Sequence, residues 1–182
     1  VETLVAAFAG LLQRSRTVRL LMLGATAGDS GTSDRRYENQ IRLLLDQPTV
    51  RGHVGWTGFV QASDVAGYLR ASDLCVLPFR DGVSLRHGTL IAAIAHHLPI
   101  ITTRAGQAET VGLLPDLLDG ENALLVPPGD PTALLAAIER AALDAELRRR
   151  LSSEIVKVAE AFQWDTIAGQ TLRLYQEIGR VV

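Results

Sequence analysis

Residues that could bind an anion are concentrated in one loop of the sequence. The loop contains six candidates for ligand binding: Asp81, Gly82, Ser84, Arg86, Gly88 and Thr89. Gly88 and Thr89 stand where an apolar, helix-forming segment begins, and the free N–H groups and dipole of a helix start attract anions. Arg86 offers a planar guanidinium suited to a diphosphate, and Ser84 a hydroxyl donor. Phosphate repels Asp81 unless its carboxylate bonds a hydroxyl or caps the loop. The pattern favours a phosphate-binding loop over an ordinary turn with a solvated arginine.

Two further stretches end predicted strands in small or polar residues. Gly24 and Thr26 follow one strand, and Gly58 and Phe59 follow the next. Ligands of open parallel sheets bind beyond the carboxyl ends of the strands, and glycine lets a ligand approach the backbone closely. We therefore add these residues to the candidate site, although each glycine alone also fits a tight strand-to-helix turn.

Strands and helices alternate along the whole chain. The apolar runs predict strands at 18–24, 52–57, 73–79, 99–103 and 122–126. The periodicity predicts helices over 2–15, 34–46, 63–72, 88–97, 106–114, from 131 onward, 146–161 and 164–179. Asp34, Ser63 or Asp64, and Asp130 are the expected N-caps, with Pro131 at the first position of its helix. This order predicts an α/β fold, a Rossmann-like doubly wound parallel sheet, in one domain over residues 1–182.

Composition excludes several classes of protein. The chain has 182 residues and a formal net charge of −2, so a nucleic-acid-binding surface is not expected. The only cysteine, Cys75, lies in an apolar run and is predicted to be a buried, inert thiol. No apolar run approaches the roughly 18 residues of a membrane span, and no signal segment is recognised, so we expect a cytoplasmic protein. Because Val1, Val5 and Phe8 already follow helical spacing, we expect a piece of a longer chain.

Metal binding and nucleophilic catalysis find little support. His96 and His97 are adjacent, and neighbouring side chains on a helix point about 100° apart, so they do not readily share one ion. No Ser/His/Asp set, Cys/His metal spacing, GxGxxG or Walker loop is present. Trp164 and Tyr175 in the last helix are predicted to be packing anchors. We expect no metal and no cofactor.

The order of several segments carries a resemblance to a known family. The chain resembles the C-terminal, nucleotide-sugar-binding half of retaining glycosyltransferases of family 4, which have the GT-B fold. The segments are "VRLLMLG", "VGWTGFV", "YLRASDLCVLPF", "LIAAIAHHLPIITT", "GQAETV", "ENALLVPPGDPTALLAAI" and "FQWDTIAGQTLRLYQEI". They cover essentially the whole chain, and "PPGDPTALLAAI" with the closing "FQW" segment is the most specific part.

The resemblance implies a donor site for a nucleotide-diphospho-sugar, often UDP- or GDP-linked. Gly24 would line it, Gly58 and Phe59 would approach the base through their backbone, and Gly82–Thr89 would cradle the diphosphate and sugar. It further implies a bacterial enzyme that retains the anomeric configuration without a metal. Its acceptor would be a sugar, a lipid or a small molecule, with peripheral membrane association as a possibility. An N-terminal GT-B domain would be its partner.

Two departures from the family pattern stand out. The family usually has two glutamates eight positions apart, and this chain has Ser84 and Ala92 there, with His97 where glycine is usual. Arg86 and Thr89 are the candidates to replace part of the lost anchoring. The family's first strand, a central one, and its diphosphate-binding Arg and Lys would precede Val1, so either an N-terminal part is absent or another segment fills the gap in the sheet. This chain alone is expected to bind weakly and to catalyse nothing.

Two alternatives to a transferase stay open. One is a sugar-nucleotide epimerase or hydrolase of the same fold, although such enzymes depend on cleft carboxylates and histidines that are scarce here. The other is a degenerate, non-catalytic domain kept for nucleotide-sugar binding or scaffolding, which the two missing glutamates would favour.

Overall fold

The computed structural model describes residues 1–14, 17–24, 32–106 and 117–179. Its elements, in chain order, are α1 (Glu2–Arg14), β1 (Leu20–Met22), α2 (Thr32–Leu45), β2 (Val54–Trp56), α3 (Ala62–Arg70), β3 (Cys75–Leu77), α4 (Gly88–Ala95), β4 (Ile100–Thr103), β5 (Leu124–Val126), α5 (Pro131–Leu143), α6 (Ala145–Glu160) and α7 (Trp164–Ile178). The five predicted strands are confirmed, each shorter than its apolar run. The helix predicted over 106–114 falls almost entirely on residues outside these ranges.

All pairs of these strands are parallel, as predicted, but the strands form two sheets. β1 pairs with β2, with Leu20 opposite Val54. β3, β4 and β5 pair in that order, with Ile101 opposite Leu124. Within the described residues the doubly wound parallel arrangement is interrupted between β1 and β3. The reason is that none of the strands in these ranges bonds to both β1 and β3.

One apolar core joins the two sheets. Phe8 and Leu11 of α1 are buried in a cluster with Leu124 of β5 and Leu134 of α5, and Leu20 of β1 packs against it. Burying a Leu or Phe side chain contributes about 1.5–3 kcal/mol. Helix α1, whose apolar face follows the 3.6-residue period, therefore holds both sheets on one side.

A second cluster fixes the position of α4. Leu90 and Ile94 of α4 are fully buried against Ile155 of α6, with Ile100 of β4 and Val83 of the preceding loop. Because α4 has eight residues, these few contacts determine where its first turn lies. The candidate loop is thus anchored through the helix that follows it.

The N-cap predictions have mixed outcomes. Asp130 caps α5 as predicted, since its carboxylate accepts hydrogen bonds of 2.9 Å from the backbone of Thr132 and of Ala133. The cap predicted at Ser63 or Asp64 is wrong, because α3 begins at Ala62 after Gln61, whose side chain makes no capping bond. Helix α2 begins at Thr32, two residues before the predicted cap at Asp34.

Helix α7 packs differently from the prediction. None of its residues is buried, and Trp164 and Tyr175 are 83% and 68% exposed. The predicted role of these two residues as packing anchors is therefore wrong within the described chain. Leu172 and Leu174 are exposed as well, so none of the described elements buries the apolar side of α7.

Candidate functional site

The loop between β3 and α4 passes very close to the backbone that follows β4. Gly82 has φ +88°, and a Cβ atom there would lie 2.5 Å from the carbonyl oxygen of Arg104 and 2.6 Å from the backbone nitrogen of Gly106. A side chain would clash with this backbone and would also be strained at that φ. Gly82 therefore has a structural task in the loop, and only a residue without Cβ fits it.

Ser84 and His87 close the loop on itself. Ser84 is 5% exposed, and its backbone N–H donates to Nδ1 of His87 over 3.2 Å. Its Oγ lies 3.3 Å from the same nitrogen, and the backbone N–H of His87 donates to the carbonyl of Ser84 over 3.2 Å. The Ser84 hydroxyl, predicted as a ligand donor, thus has a partner inside the loop.

His87 also stacks on Phe79, at the end of the β3 segment. The two ring centroids are 3.6 Å apart and the planes differ by 12°. Sequence reasoning did not select His87. The Ser-x-x-His spacing just before a helix start was the available signal, since such spacing suits a turn closed by side-chain and backbone hydrogen bonds.

The remaining predicted loop residues lie on the surface. Asp81, Arg86, Gly88 and Thr89 are all exposed. Helix α4 makes its first backbone bonds from Leu90 and Ile91 to the carbonyl of His87, so the N–H groups of Gly88 and Thr89 precede the helical ladder. Among the described residues, no atom beyond its own chain neighbours and the backbone of α4 lies within 4 Å of a Cβ placed on Gly88. The helix start therefore offers backbone donors and open space, as an anion site requires.

The two glycines at the ends of β1 and β2 meet. Gly24 and Gly58 form an antiparallel bridge, and both have positive φ, +104° and +65°. The indole nitrogen of Trp56 donates to the carbonyl of Gly24 over 2.9 Å. Phe59, next in the chain, is 78% exposed. The structure thus brings Gly24, Gly58 and Phe59 together at one sheet edge, while Thr26 lies outside the described residues.

A cleft of ≈ 860 Å³ lies beside β3. It is lined by Val1, Glu2, Thr3, Leu4, Tyr37, Val76, Leu77, Pro78, Phe79, Arg80 and Gly129. Phe79 connects this cleft to the loop, because His87 stacks on it. Burial, and secondarily the charge and hydrogen bond of Glu2, raise the pKa of Tyr37, while the charge of Arg80 opposes that shift. Arg80, like His87, was not among the candidate residues predicted from the sequence.

His96, His97 and Cys75 lie in surroundings that explain their roles in the fold. Nδ1 of His96 donates to the carbonyl of Ala92 over 2.8 Å, one turn back in its own helix, while His97 follows in the left-handed region with φ 55°. The described part of the chain contains no cluster of three metal-ligating side chains. Burial raises the pKa of Cys75 to about 11, so its thiol is protonated at neutral pH.

Comparison with known proteins identifies the family. Residues 1–144 match the family described as glycosyl transferases group 1, and the chain belongs to it. The resemblance found in the sequence is thereby confirmed, and so is the Rossmann-like α/β class. Within the ranges that the structure describes, none of the helices is long and apolar enough to cross a membrane.

Individual relatives are longer than this chain. A phosphatidyl-myo-inositol mannosyltransferase of Mycobacterium leprae is 25% identical over 178 residues, which are 98% of this chain and 43% of the relative. The sucrose-phosphate synthase of Thermosynechococcus elongatus has a TM-score of 0.77 and 28% identity over 100% of this chain and 42% of its own. HepE of Anabaena, solved in complex with UDP, shares the fold, with a TM-score of 0.74 and 18% identity over 95% of this chain and 44% of its own. The chain therefore spans about two fifths of these proteins.

Proposed function

We propose that this chain is the donor-binding part of an enzyme that transfers a sugar from a nucleotide-diphospho-sugar to an acceptor. The observation that carries the proposal is the loop Asp81–Thr89, which follows a parallel strand and leads directly into α4 in a chain of the group 1 family. The mannosyltransferase among its relatives and the UDP complex of HepE support the same donor chemistry.

Within the proposed site, the nucleoside and the diphosphate of the donor bind at the ends of different strands. The bridged glycines Gly24 and Gly58, with exposed Phe59, take the nucleoside, because glycine backbone admits a flat base at close range. Arg86 and the first N–H groups of α4, at Gly88 and Thr89, take the diphosphate. These groups and the helix dipole neutralise the leaving diphosphate, so the proposal includes no metal and no cofactor.

The proposed reaction retains the anomeric configuration. The bond between the anomeric carbon and the diphosphate oxygen breaks, and the acceptor hydroxyl oxygen bonds to that carbon on the same face. The acceptor's proton passes to the departing diphosphate, which Arg86 and the start of α4 stabilise as its charge develops. This chain offers no carboxylate at Ser84 or Ala92 to assist the step.

The proposal assigns the acceptor to a second domain of the complete enzyme. This chain spans 43% of the mannosyltransferase relative, so most of the acceptor site would lie on residues other than these. The exposed apolar side chains of α7, among them Trp164 and Leu172, would contact that domain. The acceptor is a sugar, a lipid or a small molecule, and a lipid acceptor would require a peripheral membrane location.

A thermal-shift screen tests the proposed donor. UDP-, GDP- and ADP-sugars are added to the chain and to the longer protein, with the free sugars and nucleosides as control ligands. A ligand at 100 times its Kd adds about 2.7 kcal/mol of stability, which raises the Tm of a domain of this size by about 5–10 °C. Stabilisation by one nucleotide-sugar series supports the proposal, and stabilisation by none of them on the longer protein rejects it.

A non-catalytic nucleotide-sugar-binding domain is the second candidate. It is favoured by one observation, that Ser84 is buried and bonded within the loop where the family pattern has a sugar-contacting glutamate. Both candidates predict donor binding, so binding alone cannot separate them. Only the transferase predicts that the donor is consumed. Donor consumption by the longer protein, followed by release of the nucleoside diphosphate with a panel of acceptors, distinguishes a transferase from a binding domain.

A further inference from the structure

The His87 ring has two different edges. Its Nδ1 faces Ser84, with the backbone nitrogen, Oγ and carbonyl oxygen of that residue all 3.2 or 3.3 Å away. Nε2, on the other edge, bonds to none of the described residues. Every buried side-chain nitrogen and oxygen in the described ranges has a hydrogen-bond partner. Nε2 is therefore not buried, and it reaches solvent.

The backbone of Ser84 contacts Nδ1 of the ring through its N–H and through its carbonyl oxygen, each at 3.2 Å. A backbone N–H can only donate, so its bond to Nδ1 requires a lone pair on that nitrogen. The hydrogen of the neutral imidazole is then on Nε2. In the other tautomer Nδ1 would donate to the Ser84 carbonyl, which already accepts from the backbone N–H of His87, and the Ser84 N–H would lose its bond to the ring. We therefore take the arrangement in which Nδ1 accepts. The loop thus presents an N–H donor at its solvent side.

The ring is held firmly in this orientation. Phe79 covers one face at 3.6 Å, nearly parallel, and the Ser84 backbone bonds its inner edge. Phe79 is itself part of the strand end that lines the cleft beside β3. A donor that is already oriented loses little side-chain entropy when a ligand binds, so its hydrogen bond adds more to affinity.

We propose that His87 is a donor-binding residue whose Nε2–H hydrogen-bonds the diphosphate of the nucleotide-sugar. The inference rests on the proposed function. His87 directly precedes Gly88, the first residue of α4, so its side chain belongs to the same group of donors as the N–H groups at that helix start. Bonds to a charged acceptor are the stronger class, and a neutral imidazole supplies one without bringing a net charge.

Two isosteric substitutions separate the ligand contact from the loop contact. The side-chain nitrogen of His87→Gln reaches the position of Nε2, whereas the amide of His87→Asn reaches that of Nδ1 and can accept the Ser84 N–H bond. Asparagine is also a good N-cap residue, so His87→Asn should keep the loop and helix α4 folded. A third variant, His87→Phe, keeps the stacking surface and removes both nitrogens.

The measurement is the Kd for the nucleoside diphosphate and for the matching nucleoside, by calorimetry. The diphosphate used is the one, among UDP, GDP and ADP, that the wild-type chain binds. His87→Asn and His87→Phe should weaken diphosphate binding by about 10- to 100-fold, the loss of one charge-assisted hydrogen bond, and leave nucleoside binding within about twofold. His87→Gln should retain most of the affinity.

The outcomes distinguish the inference from the proposed function. If the wild-type chain binds a diphosphate and His87→Asn binds it equally well, the inference is wrong and the proposed function stands. If His87→Gln is weakened and His87→Asn is not, His87 only holds the loop, and the inference is again wrong. If neither the wild-type chain nor the longer protein binds any of the three diphosphates, the proposed function fails and the inference fails with it.

Discussion

Gly82 lies against Arg104 so closely that a Cβ atom would stand 2.5 Å from the carbonyl oxygen of Arg104. The contact joins the loop after β3 to the segment after β4, and both strands belong to the same sheet. At Gly88, six residues further on, no other described part of the chain outside α4 and the adjoining residues comes within 4 Å of such a Cβ atom. The two glycines of this loop therefore differ: Gly82 allows close packing of two backbone segments, and Gly88 leaves space at the start of α4.

Replacing Gly82 by alanine should destabilise the fold. The left-handed φ costs an L residue about 1–2 kcal/mol, and the contact with the backbone adds about 1–3 kcal/mol as overpacking. We expect the free energy of unfolding, measured by urea denaturation, to fall by about 2–5 kcal/mol. A Gly82→Ala protein as stable as the wild type would show that the loop does not pass so close to Arg104.

Replacing Gly88 by alanine should affect binding and not stability. Its backbone needs no positive φ and its surroundings are open, so we expect the free energy of unfolding to change by less than about 0.5 kcal/mol. The added methyl group would occupy space at the start of α4 and should raise the Kd for the nucleoside diphosphate about tenfold or more, since a bound phosphate must approach those N–H groups. Unchanged affinity would place the diphosphate elsewhere.

His97 ends helix α4 in a conformation that suits glycine. Its φ is 55°. The N–H of His97 donates to the carbonyl of Ile94, and the N–H of Leu98 donates to the carbonyl of Ala93, which is the Schellman pattern of hydrogen bonds. His97→Gly should relieve the left-handed strain and raise the free energy of unfolding by about 0.5–1 kcal/mol, after the entropy cost of glycine. The control is His96→Gly, at φ −98°, which should destabilise the protein. Equal destabilisation by both would contradict this account.

The sequence predicted what depends on local pattern. The alternating apolar runs identified five strands and their parallel arrangement, and Asp130 with Pro131 located the start of α5, because caps and periodicity act within a few residues. The loop-to-helix step at Gly88 was found for the same reason.

Long-range contacts escaped the sequence analysis. Strand pairing is decided between distant segments, so which strands bond to each other could not be read from any single strand. The stacking of His87 on Phe79 depends on how the loop turns back over the end of β3. The clash that requires glycine at position 82 involves Arg104 and Gly106, more than twenty residues away. Ser84 and Arg86 were chosen as candidates because their side chains can donate hydrogen bonds. That Ser84 is buried and Arg86 exposed depends on how the loop folds.

Cys75 should react slowly with thiol reagents. Burial raises its pKa to about 11, so the reactive thiolate is scarce at pH 8. We expect labelling by a disulfide reagent at pH 8 to be at least about tenfold slower than for free cysteine, whose pKa is about 8.5, and to accelerate as the pH rises toward 11. Since the chain has one cysteine, the signal has a single source. Protein unfolded in guanidinium should react at the rate of the free thiol, and equally fast labelling of the folded protein would contradict the burial.

Arg86 is the charged residue of the loop whose loss should weaken binding of the donor most. It is exposed beside the start of α4, and its guanidinium can bond two phosphate oxygens at once. Arg86→Ala should therefore weaken binding of the nucleotide-sugar by about 1.5–3 kcal/mol, or about 10- to 100-fold in Kd.

Three comparisons make the Arg86 measurement specific. Arg86→Lys keeps the charge without the two-pronged geometry and should recover part of the affinity. Arg149→Ala, which removes an exposed arginine of α6 that pairs with Glu146, should leave the Kd unchanged. The affinity lost by Arg86→Ala should also shrink as salt is added, because an exposed ion pair is screened. If calorimetry gives the same Kd for Arg86→Ala and the wild type at low salt, the diphosphate does not bind at this arginine.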